Sequence, residues 1–220
     1  MNSQNIRKAL GVVPAIIAVL AVFAAVAFAA DVTGTDKSEN LKGTNAADTI
    51  NAAGGDDKVN AKRGDDTVNG DAGNDLLFGG RGNDTQNGGD DDDKMHGGDG
   101  DDTQDGGAGN DTIYAGFGVD VSHGGDGNDR LWALARRDTR NAGVDTLDGG
   151  PGDDTFRARD GEADVITCGE GTGDIAFLDL KDVISDATAD NPNGSCETVK
   201  RHKAKRHWKD SSETNNEPTS

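Results

Sequence analysis

Aspartate recurs at every ninth residue through the middle of this chain: Asp48, Asp57, Asp66, Asp75, Asp84, Asp93, Asp102, Asp111, Asp120 and Asp129. Short carboxylates at one fixed spacing are placed in lines by any backbone that repeats with them. No glutamate occurs between Gly43 and Trp132, as suits a tight turn with little room for the longer arm. The chemistry open to such lines is cation binding by oxygen, from carboxylates together with main-chain carbonyls. Hard oxygen ligands at this density suit calcium.

The aspartates are the sixth residues of a nonapeptide that runs without a gap from Gly43 to Trp132, as in Gly106-Gly107-Ala108-Gly109-Asn110-Asp111-Thr112-Ile113-Tyr114. Two places after each Asp comes the eighth position, apolar at Ile50, Val59, Val68, Leu77, Met95, Ile113 and Leu131. The glycine-rich half of a copy turns the chain, because glycine takes positive φ without steric cost. The other half is extended, with the apolar side chain inward and its neighbours outward. Two copies then make one coil, and stacked coils make two facing parallel sheets around a thin apolar seam. A disordered Asp/Gly tract is the plain alternative, but disorder does not require an apolar residue at a fixed offset from the aspartates.

The form G-G-x-G-x-D-x-U-x, with U apolar, resembles the RTX or haemolysin-type calcium-binding repeat. The resemblance covers roughly half the chain, and a strict register over so many copies is specific where a single G-G-x-G-x-D is not. It implies an all-β fold, a right-handed parallel β-roll (a β-helix solenoid), with Ca2+ held between turns one coil apart. One row of ligands is then Asp48, Asp66, Asp84, Asp102 and Asp120, and the other Asp57, Asp75, Asp93, Asp111 and Asp129. About eight ions fill every gap of the two rows.

Departures from the pattern are uneven. Thr44, Ala46, Ala52, Ala53, Ala61 and Lys62 stand where the family has glycine, Asp91 takes a fourth position, and Val119 a fifth. The turns of Asp48 and Asp120 fit least well. Gln86, Gln104 and Ser122 occupy eighth positions on one sheet, as an amide ladder or as a weak stretch of seam. After Trp132 the period breaks over residues 133–139, read as a surface loop, and resumes with Asp145 and Asp154 as further candidate ligands. The roll is therefore expected over residues 43–157.

On either side the composition changes. Residues 1–29 read as a secretory signal peptide: Arg7 and Lys8 precede an uncharged apolar run, and Ala27-Phe28-Ala29 offers a cleavage site. An uncleaved membrane anchor is the alternative. Residues 30–42 read as a loosely held polar lead-in. Residues 158–199 are expected to form a C-terminal β cap, since solenoid ends expose seam and sheet edge. They hold the only two cysteines, Cys168 and Cys196, which in an exported chain are most simply a disulfide. Catalytic or metal-binding thiols are the rival reading, without a C-x-x-C spacing to support it. Residues 200–220 read as a basic block, Lys200 to Lys209, followed by a polar disordered tail.

The net charge of −19 with 33 glycines and only 4% aromatic residues leaves little apolar mass for an ordinary core. Between Gly43 and Trp132 twenty Asp face six Lys and Arg, so folding is expected to wait for calcium, with metal-ligand free energy appearing as folding free energy. No enzyme is expected: G-x-S-x-G and H-E-x-x-H are both absent from the sequence, and no domain-sized stretch remains unassigned. The expected function is calcium binding by a secreted or envelope-associated structural module. A second class of function is an outer-face ligand site, because Thr49, Thr67, Thr85 and Thr103 fall in one rank and Asn51, Asn69 and Asn87 in another. Such a surface suits ice or a polysaccharide. The basic block reads first as a solvated tail whose charge offsets the acidic body, with an anionic envelope polymer as the alternative partner, whereas nucleic acid is a poor partner for an exported acidic chain.

Overall fold

A computed structural model describes residues 28–133, 143–188, 191 and 194–202. In chain order its strands are β1 (Asp31–Thr33), β2 (Asn40–Lys42), β3 (Thr49–Asn51), β4 (Lys58–Arg63), β5 (Thr67–Ala72) and β6 (Leu76–Arg81). There follow β7 (Thr85–Asp90), β8 (Lys94–Asp99), β9 (Thr103–Ala108), β10 (Thr112–Phe117), β11 (Val121–Asp126) and β12 (Arg130–Trp132). The last are β13 (Thr146–Asp148), β14 (Thr155–Ala158), β15 (Val165–Thr167), β16 (Ile175–Leu178), β17 (Val183–Ile184) and β18 (Thr198–Arg201). Odd-numbered strands form one nine-stranded sheet and even-numbered strands another. Every pairing is parallel, and in the repeats neighbours are one coil apart, Thr67 beside Thr85 and Leu77 beside Met95. The chain is a β-solenoid.

Alternation along each strand decides what fills the solenoid. The sixth, eighth and next first positions point inward, so Asp66, Val68 and Gly70 are buried while Thr67 is exposed. The seam consists of Ile50, Val59, Val68, Leu77, Met95, Ile113 and Leu131, all fully buried. Gln86, Gln104 and Ser122 are buried among them. The Gln104 and Gln86 amides meet at 2.9 Å, and Ser122 Oγ donates to Gln104 at 3.3 Å. The amide ladder exists, at the expense of apolar area.

The turns depend on positive φ at their second and fourth positions, as at Gly80 (φ 119°) and Gly82 (φ 120°). Four residues with side chains adopt that region: Ala53, Lys62 and Asp71 at second positions and Asp91 at a fourth. Each costs roughly 1–2 kcal/mol relative to glycine. Lys62 recovers part of this by donating from Nζ to the Gly43 carbonyl.

Three boundaries differ from the sequence reading. Residues 30–42 are no loose lead-in: β1 and β2 pair with β3 and β4 and complete a coil ahead of Gly43. The solenoid does not stop at 157 either. Strands β15 to β18 extend both sheets in parallel, so the expected cap consists of further coils of irregular length. Lys200 and Arg201 of the basic block belong to β18. The expected signal peptide before residue 28, most of the expected loop at 133–139 and the expected tail beyond His202 lie outside the described residues. Cys168 and Cys196 form the expected disulfide, with Cα atoms 5.2 Å apart.

One regularity was missed in the sequence. Ninth positions of the even-numbered strands bring Phe78, His96, Tyr114 and Trp132 into a single stack, with ring centroids 4.9, 4.6 and 4.7 Å apart. Lys58 and Lys94 lie over the Phe78 and Tyr114 rings. Farther along the same sheet Arg157, Arg159 and Lys200 surround Phe177. Parallel in-register pairing sets the ring spacing, so position nine alone was the available signal.

Candidate metal centre

Each sixth-position aspartate ends a turn and begins a strand, with its side chain folded into the turn. Through Oδ1 it accepts the backbone N–H of the aspartate one coil earlier. The first row runs Asp48, Asp66, Asp84, Asp102, Asp120, Asp145, Asp164 and Asp182, at donor distances of 2.7 to 3.3 Å. The second runs Asp57, Asp75, Asp93, Asp111, Asp129, Asp154 and Asp174, at 2.7 to 2.8 Å, and ends where Asp174 donates to Glu197 Oε2. The structure thus brings the twelve predicted aspartates into two rows.

Oδ1 is occupied, and Oδ2 is the informative atom. In Asp57, Asp66, Asp75, Asp84, Asp93, Asp102, Asp111, Asp129 and Asp154 it is buried without a hydrogen-bond partner. A methyl group built on Gly70 would overlap both Asp75 Oδ2 and the Gly88 carbonyl of the next coil, and Gly79, Gly88, Gly97 and Gly106 repeat the arrangement. Glycine at the first position keeps a carboxylate oxygen and a carbonyl oxygen converging on one small space. An unmatched buried acceptor costs about 1–3 kcal/mol, more when charged, so such a lattice of them calls for a cation. Calcium fits the donor set, all of it oxygen, and the aspartates named here with the first-position carbonyls would hold it.

The electrostatics agree. Burial, with the charge of neighbouring aspartates adding to it, pushes Asp66, Asp75, Asp84 and Asp111 up to about 6. It pushes Asp129 and Asp154 up to about 7, and Asp93, Asp102 and Asp145 up to about 8. Backbone N–H bonds oppose the shift without cancelling it. A cation in place of a proton would relieve the same repulsion.

Asp48 differs from the rest. Burial raises its pKa, but the N–H groups of Thr44 and Ala30 and the Thr44 hydroxyl together bring it below the ordinary value. Its Oδ2 accepts from Thr44 N–H and its Oδ1 from Ala30 at 2.6 Å and the Thr44 hydroxyl at 2.9 Å. Protein donors here do what a cation would do elsewhere, the Thr44 hydroxyl adding to two backbone N–H groups.

Sequence reasoning missed Asp164, Asp174 and Asp182. All three are buried rungs of the rows. The signal was present, since Asp164-Val165-Ile166, Asp174-Ile175-Ala176 and Asp182-Val183-Ile184 keep the D-x-U spacing while the nine-residue interval between aspartates is lost. Of the proposed outer ranks, Thr49, Thr67, Thr85 and Thr103 do stand side by side, as do Asn51, Asn69 and Asn87.

No curated protein sequence matches the chain. A family model described as the RTX calcium-binding nonapeptide repeat (4 copies) matches residues 33–68, 54–86, 69–104, 96–131 and 140–172. Those matches take in more than half of the chain and span the same turns in which aspartate oxygens and glycine carbonyls converge. The chain therefore belongs to the RTX calcium-binding nonapeptide repeat family.

Proposed function

We propose that this protein is exported largely unfolded and completes its β-solenoid on meeting calcium outside the cell, where it serves as a non-enzymatic structural module of the envelope or its surroundings. One observation carries the reading: the buried, partnerless Oδ2 atoms repeat down two rows. Without a cation, ionised carboxylates repel across each gap, and a seam containing Gln86, Gln104 and Ser122 offers little to oppose them. Calcium binding and folding are then one event. Low cytosolic calcium keeps the chain competent for export through its N-terminal signal, and calcium at roughly 10⁻⁴ to 10⁻³ M, the working range of extracellular modules, sets the fold. The Lys200 to Lys209 block supplies attachment to anionic polymer.

The test is a calcium titration of the chelated mature chain, residues 30 to 220, followed by far-ultraviolet circular dichroism and calorimetry. A largely disordered spectrum that converts cooperatively to β with several ions per chain supports the reading. A β spectrum complete in chelator and indifferent to calcium contradicts it.

A second reading concerns the outer ranks. Thr49, Thr67, Thr85 and Thr103, with Asn51, Asn69 and Asn87, make a regular polar surface at strand spacing, matched to a repeating ligand such as ice or a polysaccharide. Replacing Thr67 and Thr85 by Lys should abolish such binding, and unchanged binding by the variant would eliminate this role.

A further inference from the structure

Beyond the regular repeats, one turn of the solenoid brings a third carboxylate against two consecutive rungs of the first row. Between Asp145 and Asp164, consecutive rungs of the first row, the strand register advances by nineteen residues, Thr146 pairing with Val165, where a repeat advances by eighteen. The turn that leads into Asp164 is Arg159-Asp160-Gly161-Glu162-Ala163, one residue longer than its counterparts. Its Asp160 side chain reaches the row: one carboxylate oxygen from each of Asp145, Asp160 and Asp164 lies within 4.8 Å of the others. Asp145 and Asp164 are 2% and 0% exposed. Asp164 Oδ1 accepts the Asp145 N–H at 3.0 Å, while Asp164 Oδ2 is buried and has no hydrogen-bond partner. That oxygen is left for a cation.

The turn is held in place independently of any ion. Asp160 Oδ1 accepts the Glu162 N–H at 2.9 Å, Glu162 Oε2 accepts the Gly143 N–H at 3.2 Å, and Lys181 donates to the Gly161 carbonyl. Preorganised oxygens bind without first ordering a loop.

We propose that Asp145, Asp160 and Asp164 form a separate calcium site, distinguished from the repeat gaps by a third carboxylate from an irregular turn. Added ligand charge and a fixed turn both raise calcium affinity, so this site fills before the repeat sites. It lies at the junction where regular repeats give way to the irregular coils. The proposal rests on the calcium reading of the repeats.

The experiment is a calorimetric calcium titration of the full mature chain against Asp160→Asn and, as a charge control, Asp126→Asn, an exposed turn residue outside every row. Circular dichroism at saturating calcium accompanies each titration. The expected result is that in Asp160→Asn the tightest step is weakened roughly tenfold or more, with the saturated spectrum unchanged. Asp126→Asn should titrate like the parent protein. An Asp160→Asn titration equal to the parent in first-step affinity overturns the proposal, as does an equal weakening in Asp126→Asn. If the parent chain itself takes up no calcium, the reading of the repeats fails instead.

Discussion

Opposite Met95 and Ile113, the seam of the middle coils holds Gln86, Gln104 and Ser122, with Gly88, Gly97 and Gly106 at the first positions. In the later coils the corresponding positions are Leu147, Phe156, Ala158, Ile166, Cys168, Ala176, Leu178 and Ile184, all buried. The two regions share one backbone plan and both carry the aspartate rows. A buried Leu, Ile or Phe contributes about 1.5–3 kcal/mol relative to its exposed state, so the later coils acquire from side chains what the middle coils lack. The Cys168–Cys196 bridge adds a covalent closure there. The difference teaches that a solenoid coil is stabilised either by filling its seam or by neutralising its turns. Where the first-position glycines are strictest, the seam is poorest. On the proposed function, the middle coils should depend on calcium more than the later coils do.

Acid should have the largest effect on this contrast. The folded state raises the row aspartates from 3.8 to about 6 at Asp84 and about 8 at Asp93 and Asp102. Raised carboxylate values mean that the folded state binds protons more tightly than the unfolded one. In chelator, the stabilisation from protonation is full below about pH 4 and is lost as pH rises through about 6 to 8. The metal-free chain should therefore gain β structure on acidification from pH 8 to pH 4, followed by circular dichroism. Calcium must displace those protons, so its apparent affinity should fall over the same range. A metal-free spectrum that is flat with pH would remove the electrostatic half of the comparison.

Next in size is the disulfide. Replacing Cys168 and Cys196 by Ser opens a closure of 28 residues in sequence and should cost about 3–4 kcal/mol in the chain-entropy treatment. Thermal unfolding should show the loss in the later coils, with the ion count of the middle coils retained. A smaller change tests the seam directly. Gln86→Leu with Gln104→Leu removes two buried amides, one with an unmatched Nε2, and gives the middle coils the filling of the later ones. The double variant should gain about 1–3 kcal/mol and fold at lower calcium. An increased calcium requirement would mean that the amide ladder matters more than apolar area.

The sequence made the solenoid legible because its two signals have fixed periods. Aspartate every nine residues located the rows from Asp48 to Asp129, and the eighth positions identified the seam. The pattern became unreadable where only one signal survived. Asp164, Asp174 and Asp182 keep the aspartate and the apolar partner but lose the nine-residue interval, so turns of altered length hid their register. The early strands β1 and β2 were obscured likewise, since Val32 and Leu41 each sit within otherwise polar stretches. Stacking of Phe78, His96, Tyr114 and Trp132 depends on residues eighteen apart in sequence, and alignment of copies by pairs rather than singly reveals it. The contact of Asp160 with Asp145 and Asp164 was not legible at all, because it arises from an irregular turn that no period describes.

Amide hydrogen exchange on the full mature chain, with calcium and in chelator at neutral pH, tests the central claim most directly, since it reads each coil separately. The account predicts that calcium protects amides throughout, and that chelation exposes β5 to β11 to rapid exchange while β13 to β18 keep measurable protection. Equal protection of the middle coils with and without calcium would contradict it, because the turns would then need no cation to hold their rows of carboxylates.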